Sequence, residues 1–190
     1  MSRIEQAVCR SGPWNAFAPR VTSSVLGGTD VFEDVLEIGG GSGAMAEAIV
    51  RDHPDCRLTV TDFDPAMVAA AQKRLASYPQ VSVRAADATK LPFTDGVYDT
   101  VLSFLMLHHV IDWEAAVTEA SRVLRPGGTF SGYDLTDTKV WSWLHKLDRS
   151  PYRLIARSEF EKATRQAGFD VTSIRYSWFK HMMSFTAHKL

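Results

Sequence analysis

The 190-residue chain reads as an α/β fold: a doubly wound, mostly parallel sheet of about seven strands, with helices on both faces and an antiparallel strand near the C-terminus. Three observations point there. Apolar runs rich in β-branched residues alternate with segments whose apolar residues recur at helical spacing, the alternation that builds a parallel sheet. The first run, "DVLEI", ends in Gly39, Gly40 and Gly41, with Gly43 just beyond, so the backbone there must turn tightly or admit something close. Acidic and glycine residues then collect at the C-terminal ends of successive runs, the edge at which open α/β sheets bind ligands.

Each element has its own signal. "SGAMAEAIVRD" follows the glycines as a helix with Met45, Ala48 and Ile49 on one face. "CRLTVTD" is the second strand, and Pro65 opens the next helix, which buries Met67, Val68, Ala71 and Leu75. "VSVRAAD" is a third strand and "YDTVLSFL" a fourth, apolar enough to be buried on both faces. Asp112 caps a helix that buries Ala116, Val117, Ala120, Val123 and Leu124, and "RPGG" stops it before the fifth strand, "TFSGYDL". Ser158, with Glu161 three residues on, suggests a capping box for "SEFEKATRQAGF". "DVTSIRYSWF" and "MMSFTAHK" close the chain as two strands around a turn at Lys180 and His181, while 136–155 carries no clear period.

Composition narrows the class. Hydrophobic residues at 45%, charged residues at 23% and a net charge of −1 fit one soluble globular domain and give no general affinity for nucleic acid. "MSRIEQAVCR" lacks a signal-peptide core and "VLSFLMLHHVI" is too short to span a bilayer, so a cytoplasmic location without a transmembrane segment is expected. Cys9 and Cys56 make no disulfide framework, in keeping with a reducing compartment. Basic residues outnumber acidic ones past Asp137, which reads as a solvated face.

Sorted by strand end, Glu37 and the glycines follow the first strand, Asp62 ends the second, Asp87 the third, Ser103 and Phe104 the fourth, and Tyr133 and Asp134 the fifth. His53 and Cys56 have a spacing that metal sites sometimes use, but they precede the second strand and read as surface-loop residues at the opposite edge, so no metal is expected. "GGGSGA" satisfies G-x-G-x-x-A, and Asp62 stands at the distance of a ribose-binding carboxylate. That pattern serves any nucleotide-like ligand. Glu37, just ahead of the glycines, would repel a pyrophosphate and favour a cation, which suits S-adenosylmethionine with its sulfonium and amino groups.

"VLEIGGGSGAM", "LTVTDFDPAMV", "RAADATKLPFTDGVYDTVLSFLMLHHV" and "EASRVLRPGG" together resemble the ordered motifs of the class I S-adenosylmethionine-dependent methyltransferases, most of all the small-molecule branch that includes the ubiquinone- and menaquinone-biosynthesis enzymes. The resemblance spans residues 34–135 and implies a Rossmann-like fold. By position it implies that Glu37, Gly39, Gly40, Gly41 and Gly43 pass the methionine half of the cofactor. Asp62 would accept from the ribose hydroxyls, Phe63 and Met67 flank the adenine, Asp87 and the Ala88 backbone meet its amino group, and Ser103 and Phe104 approach the sulfur. "TDFD" departs from the commoner pattern, leaving Asp64 without a family role. The chain divides accordingly into an N-terminal lid or helical segment (1–33), the cofactor-binding core (34–135) and substrate-side helices with a closing strand hairpin (136–190).

Methyl transfer needs a base only when the acceptor must lose a proton, and His108 and His109 are the candidate catalytic residues, since an imidazole titrates near neutrality. No cysteine stands at the ligand edge, and "SFLM" occupies the place of the Asn-Pro-Pro-aromatic run of nucleic-acid amino methylases. A small, apolar or aromatic acceptor is therefore expected, with S-adenosylhomocysteine as the other product. Trp14, Phe17 and Val21 are candidates for a lid, and Trp141, Trp143, Tyr152, Met182 and Met183 for an acceptor pocket or for core or dimer packing; a homodimer is left open. The alternatives are a nicotinamide-dependent oxidoreductase, against which Glu37, "LPF" and "RPGG" argue, and a non-catalytic cofactor-binding protein.

Overall fold

A computed structural model describes residues 33–137, 152–177 and 181–190. Seven strands form one sheet: β1 (Asp34–Ile38), β2 (Arg57–Asp62), β3 (Val81–Ala85), β4 (Tyr98–Phe104), β5 (Leu124–Leu135), β6 (Phe169–Ser177) and β7 (Met182–Lys189). Their spatial order is β3-β2-β1-β4-β5-β7-β6. The first five strands pair in parallel, whereas β7 runs antiparallel to both β5 and β6 and wedges between them. Strand order reverses between β1 and β4, where a doubly wound sheet opens a crevice at the strands' C-terminal ends.

Among the described residues, four α-helices cover the sheet: α1 (Ala44–Asp52), α2 (Pro65–Leu75), α3 (Trp113–Val123) and α4 (Arg157–Gln166). The apolar spacing of α2 places Met67, Val68, Ala71 and Leu75 inward, as the sequence requires. Asp64, which the family pattern leaves without a role, is its N-cap and accepts from Ala66 N at 2.8 Å, with Pro65 in the first turn where no N–H is missed. Asp112 caps α3, accepting from Ala115 N. One core, under α3 and α4, is built on Trp113, Phe130, Phe160 and Phe185; a second, under α1 and α2, on Ile49, Leu58, Val60 and Leu102.

Three local expectations are corrected. The helix α4 begins at Arg157 with Ala156 as its N-cap and no side-chain cap, so Ser158 lies inside it and Glu161 pairs with Arg157 at 2.6 Å instead of closing a capping box. Strand β5 begins at Leu124, opposite Tyr98, and "RPGG" bulges out before pairing resumes at Thr129. Cys56 sits at the edge opposite the ligand side as expected, but it is 4% exposed and packed in the second core, not on a surface loop. Trp14, Phe17, Val21, Trp141, Trp143 and Cys9 lie outside the described residues. No described helix is long and apolar enough to cross a membrane.

Candidate active site

The C-terminal ends of β1 to β4 open into a cavity of about 620 Å³. Glu37 and the glycine turn form one wall and Asp62 to Asp64 the next. Residues 86–89 lie beyond β2, and Phe104 to Met106, His108 to Asp112 and Leu135 close the far side.

Glu37 is 1% exposed, and its Oε2 has no hydrogen-bond partner among the described residues. Burial, reinforced by the nearby Asp62 charge, pushes its carboxyl up to about 8. Asp62 Oδ2 accepts from Gly41 N and its Oδ1 from Asp64 N, each at 2.8 Å, so one carboxylate ties the glycine turn to the start of α2. Burial raises its pKa too, and these two amide donors oppose the rise.

The turn needs glycine for two different reasons. Gly39 has φ +68°, and a Cβ there would lie 1.9 Å from Met106 Cγ, so even one added carbon would collide with the opposite wall. Gly43, the N-cap of α1, would put a Cβ 3.0 Å from Leu75 and 3.3 Å from Ala71 on α2. Gly43 thus serves helix packing and does not line the cavity.

On the far side, Leu105 has φ +50°, the only positive value at a non-glycine position among the described residues, and its N donates to Tyr133 O at 2.9 Å. The chain then enters a 3-10 turn, Leu107–His109. His108 is 3% exposed, with Nδ1 2.5 Å from Asp134 Oδ1, and the His109 ring lies 4.0 Å from the His108 ring between centroids.

The cavity gathers Glu37, Gly39, Gly40, Gly41, Asp62, Phe63, Asp87, Ala88, Phe104, His108 and His109, all expected at the site. Phe63 stands at the mouth, 77% exposed. Asp87 is exposed two residues past β3, and its Oδ1 accepts from both Thr89 N and Thr89 Oγ1, so a local turn already uses one of its oxygens.

Met67 and Ser103, like Gly43, are not lining residues: Met67 is fully buried on the inner face of α2, and Ser103 is fully buried within the sheet. Of the acceptor-pocket candidates, the described ones also lie elsewhere. Met183 is fully buried in the core, and neither Tyr152 nor Met182 lines the cavity. The apolar wall comes instead from Met45, Leu105, Met106, Val110, Ile111 and Leu135. Sequence pattern masks these residues because Met45 reads as helix packing and Met106 and Ile111 as part of an apolar run.

This donor set fits a cationic nucleoside. A fully buried, unmatched carboxylate oxygen beside the glycine turn calls for positive charge, and no lysine or arginine is among the described residues that line the cavity.

Comparison with known proteins agrees. The methyltransferase domain family matches residues 36–131, just over half of the chain. A ubiquinone/menaquinone biosynthesis C-methyltransferase of Cupriavidus taiwanensis is 33% identical over 142 residues, 65% of this chain and 58% of that protein. A malonyl-[acyl-carrier protein] O-methyltransferase of Geobacter sulfurreducens is 30% identical over 146 residues, 71% of this chain and 55% of that protein. The chain thus spans under two thirds of the length of these curated relatives. Among solved structures, the methyltransferase in complex with the Haloferax volcanii Trm112 activator shares the fold at a TM-score of 0.83 and 21% identity, with 99% of this chain and 98% of that one covered. By its motifs, its sheet and this family match, the chain belongs to the class I S-adenosylmethionine-dependent methyltransferases.

Proposed function

We propose that the protein methylates a small, apolar or aromatic acceptor by in-line displacement, with S-adenosylmethionine as donor and S-adenosylhomocysteine as product. The observation that carries this is Glu37, buried and unmatched at a glycine turn, in a cavity whose opposite wall is apolar. When bound, the cofactor supplies a methyl carbon on a sulfonium, which departs neutral and needs no acid.

The chain's own residues bind and orient. Glu37 and the 39–41 turn receive the cationic methionine half. Asp62 would accept from the ribose hydroxyls, Phe63 at the mouth would flank the adenine, and Asp87 and the Ala88 backbone would meet its amino group. Phe104 would hold the sulfur side. Met45, Met106, Ile111 and Leu135 exclude water from the reacting pair, and holding that pair in line at about 3 Å carries much of the rate. His108 and His109 border the acceptor end, where a proton would be lost. In this scheme residues 34–135 are the cofactor core. The names of the relatives, one for C-methylation in quinone biosynthesis and one for O-methylation, support methyl transfer without deciding the atom.

Calorimetric titration with S-adenosylhomocysteine and, separately, with NAD tests the donor: binding of the first and not the second is expected, and the reverse overturns the proposal. A labelled-methyl screen over quinols, phenols, amines and fatty acids tests the acceptor. Label appearing only in small polar amines, and in no quinol, phenol or fatty acid, would overturn the apolar or aromatic acceptor.

A further inference from the structure

The glycine turn is held from two sides. At the cavity edge of the sheet, Gly40 N donates to Thr61 O at 2.9 Å and Gly41 N to Asp62 Oδ2 at 2.8 Å, while Gly43 N closes the turn on Gly40 O at 2.9 Å. From behind, Arg74 in the last turn of α2 donates through Nε to Ser42 O at 2.9 Å and through Nη1 to Glu47 Oε2 at 3.0 Å. Ser42 is buried and lines the cavity, whereas Arg74 is partly buried and lies outside the lining. A basic residue in the last turn of a helix ordinarily complements the helix dipole from solvent, the role open to the exposed Lys73 beside it. Arg74 instead crosses to a residue 32 positions earlier in the chain. It can do so because Gly43 carries no side chain: a Cβ there would stand 3.3 Å from Ala71, so α2 approaches closely, and Arg74, three residues on along the same helix face, reaches the turn. Glu47, in the first turn of α1, steadies the guanidinium, and its Oε1 accepts from Arg51 Nη2 at 2.9 Å.

We infer that Arg74 is a positioning residue for the cofactor: its fork spans Ser42 O and the Glu47 carboxylate, fixes the Ser42–Gly43 peptide, and so holds the turn in the conformation that receives the methionine half. This rests on the methyltransferase proposal above. The Ser42–Gly43 peptide is bonded at both ends, its carbonyl by Arg74 and its N–H by Gly40 O. Gly41 and Gly43, on either side of Ser42, stand at φ +54° and +79°, where glycine is free to move, so the turn takes its rigidity from groups outside it. Ordering those residues before the ligand arrives removes their entropy from the cost of binding. The adenosine half meets other elements, Asp62 at the end of β2 and residues 86–89 beyond β3, which Arg74 does not touch in the described hydrogen bonds. Lysine would not substitute: one ammonium donates from a single point, whereas the planar guanidinium reaches partners on two elements with two nitrogens.

Calorimetric titration with two ligands tests this: S-adenosylhomocysteine, which carries the amino-acid half, and 5′-methylthioadenosine, which keeps the adenosine and the thioether but lacks that half. Arg74→Met should weaken S-adenosylhomocysteine binding about tenfold and methylthioadenosine binding by less than about twofold. Arg74→Lys, which keeps the charge beside Glu47, should match the wild type in urea unfolding yet still bind S-adenosylhomocysteine about fivefold more weakly. Lys73→Ala should bind both ligands as the wild type does. Equal losses on the two ligands, wild-type affinity in Arg74→Met or Arg74→Lys, or a loss in Lys73→Ala as large as in Arg74→Met overturns the inference and leaves the methyltransferase assignment standing. A wild type that fails to bind S-adenosylhomocysteine breaks the assignment itself. Should Arg74→Met not fold, Arg74→Lys carries the decision through the same ratio between the two ligands.

Discussion

Asp34 and Glu37 lie three residues apart on the same five-residue strand and meet opposite fates. Asp34, at the start, is pinned by Arg57 at 2.8 Å and Arg125 at 3.0 Å, while Arg125 also reaches Asp99 at 2.6 Å. The Arg57 hydrogen bond, with the help of Arg125, outweighs partial burial and holds the Asp34 carboxyl below its ordinary range. Glu37, at the other end, has been taken out of water with no cation supplied, and its pKa climbs to about 8. One edge of the sheet thus matches its charges within the fold. The other leaves a buried carboxyl unmatched at the proposed cofactor site, so stability given up there would be regained on ligation.

The strongest challenge to that contrast is Asp62→Ala. It removes a carboxylate that accepts two main-chain N–H groups, releasing both the glycine turn and the start of α2. Hydrogen bonds to charged groups are worth about 1.5–3 kcal/mol each, so S-adenosylhomocysteine affinity should fall by at least about 100-fold in calorimetry. A loss under tenfold would mean the turn holds itself.

Glu37→Gln comes next and has a pH signature. Because the folded carboxyl holds its proton up to about 8, above its ordinary range, the folded apo protein binds that proton more tightly than the unfolded chain does. Apo stability therefore falls as pH rises from the ordinary carboxylate range through 8, and glutamine escapes this loss. At pH 9 the variant's melting temperature should exceed the wild type's by about 5 °C. Affinity for S-adenosylmethionine moves the other way: the wild type should bind more tightly as pH rises to about 8 and level off, whereas the variant stays flat and is about tenfold weaker at pH 9. A wild-type affinity that is independent of pH between 6 and 9 would remove Glu37 from the cation site.

The central fold could be read from the chain because its signals are local. A glycine turn after a strand, Pro65 and Asp64 at the start of α2, and Asp112 at the start of α3 act within a few residues. The site was legible where strand ends dictate it, as at Glu37 and Asp62. It was not where a side chain's facing depends on a distant partner. Met67 follows the right residues but turns under α2 into the core, since the same helical period that marks an apolar face cannot say whether ligand or sheet covers it. Asp134 was visible as the end of a strand, yet its hold on His108 joins residues 26 apart in sequence across β4 and β5. Ser158 shows the same limit: the capping pattern was present, but Arg157 pairs with Glu161 and the helix starts two residues earlier.

The smallest effect is the one that isolates the structural edge. Asp34→Asn keeps the shape of the side chain and removes the charge shared by Arg57 and Arg125. Both arginines are well exposed, so water and salt screen the pairs, and the cost should be about 1 kcal/mol in urea unfolding at pH 7. Because the folded pKa of Asp34 is depressed, its contribution is present above the carboxyl's ordinary pKa and disappears as pH falls through the folded value. The deficit of the variant should therefore shrink as pH falls below the carboxyl's ordinary range, and shrink in 1 M salt, with S-adenosylhomocysteine affinity unchanged within about twofold. If the affinity instead dropped as far as in Glu37→Gln, charge at the two ends of β1 would be coupled through the strand, and the division of labour between the two edges would fail.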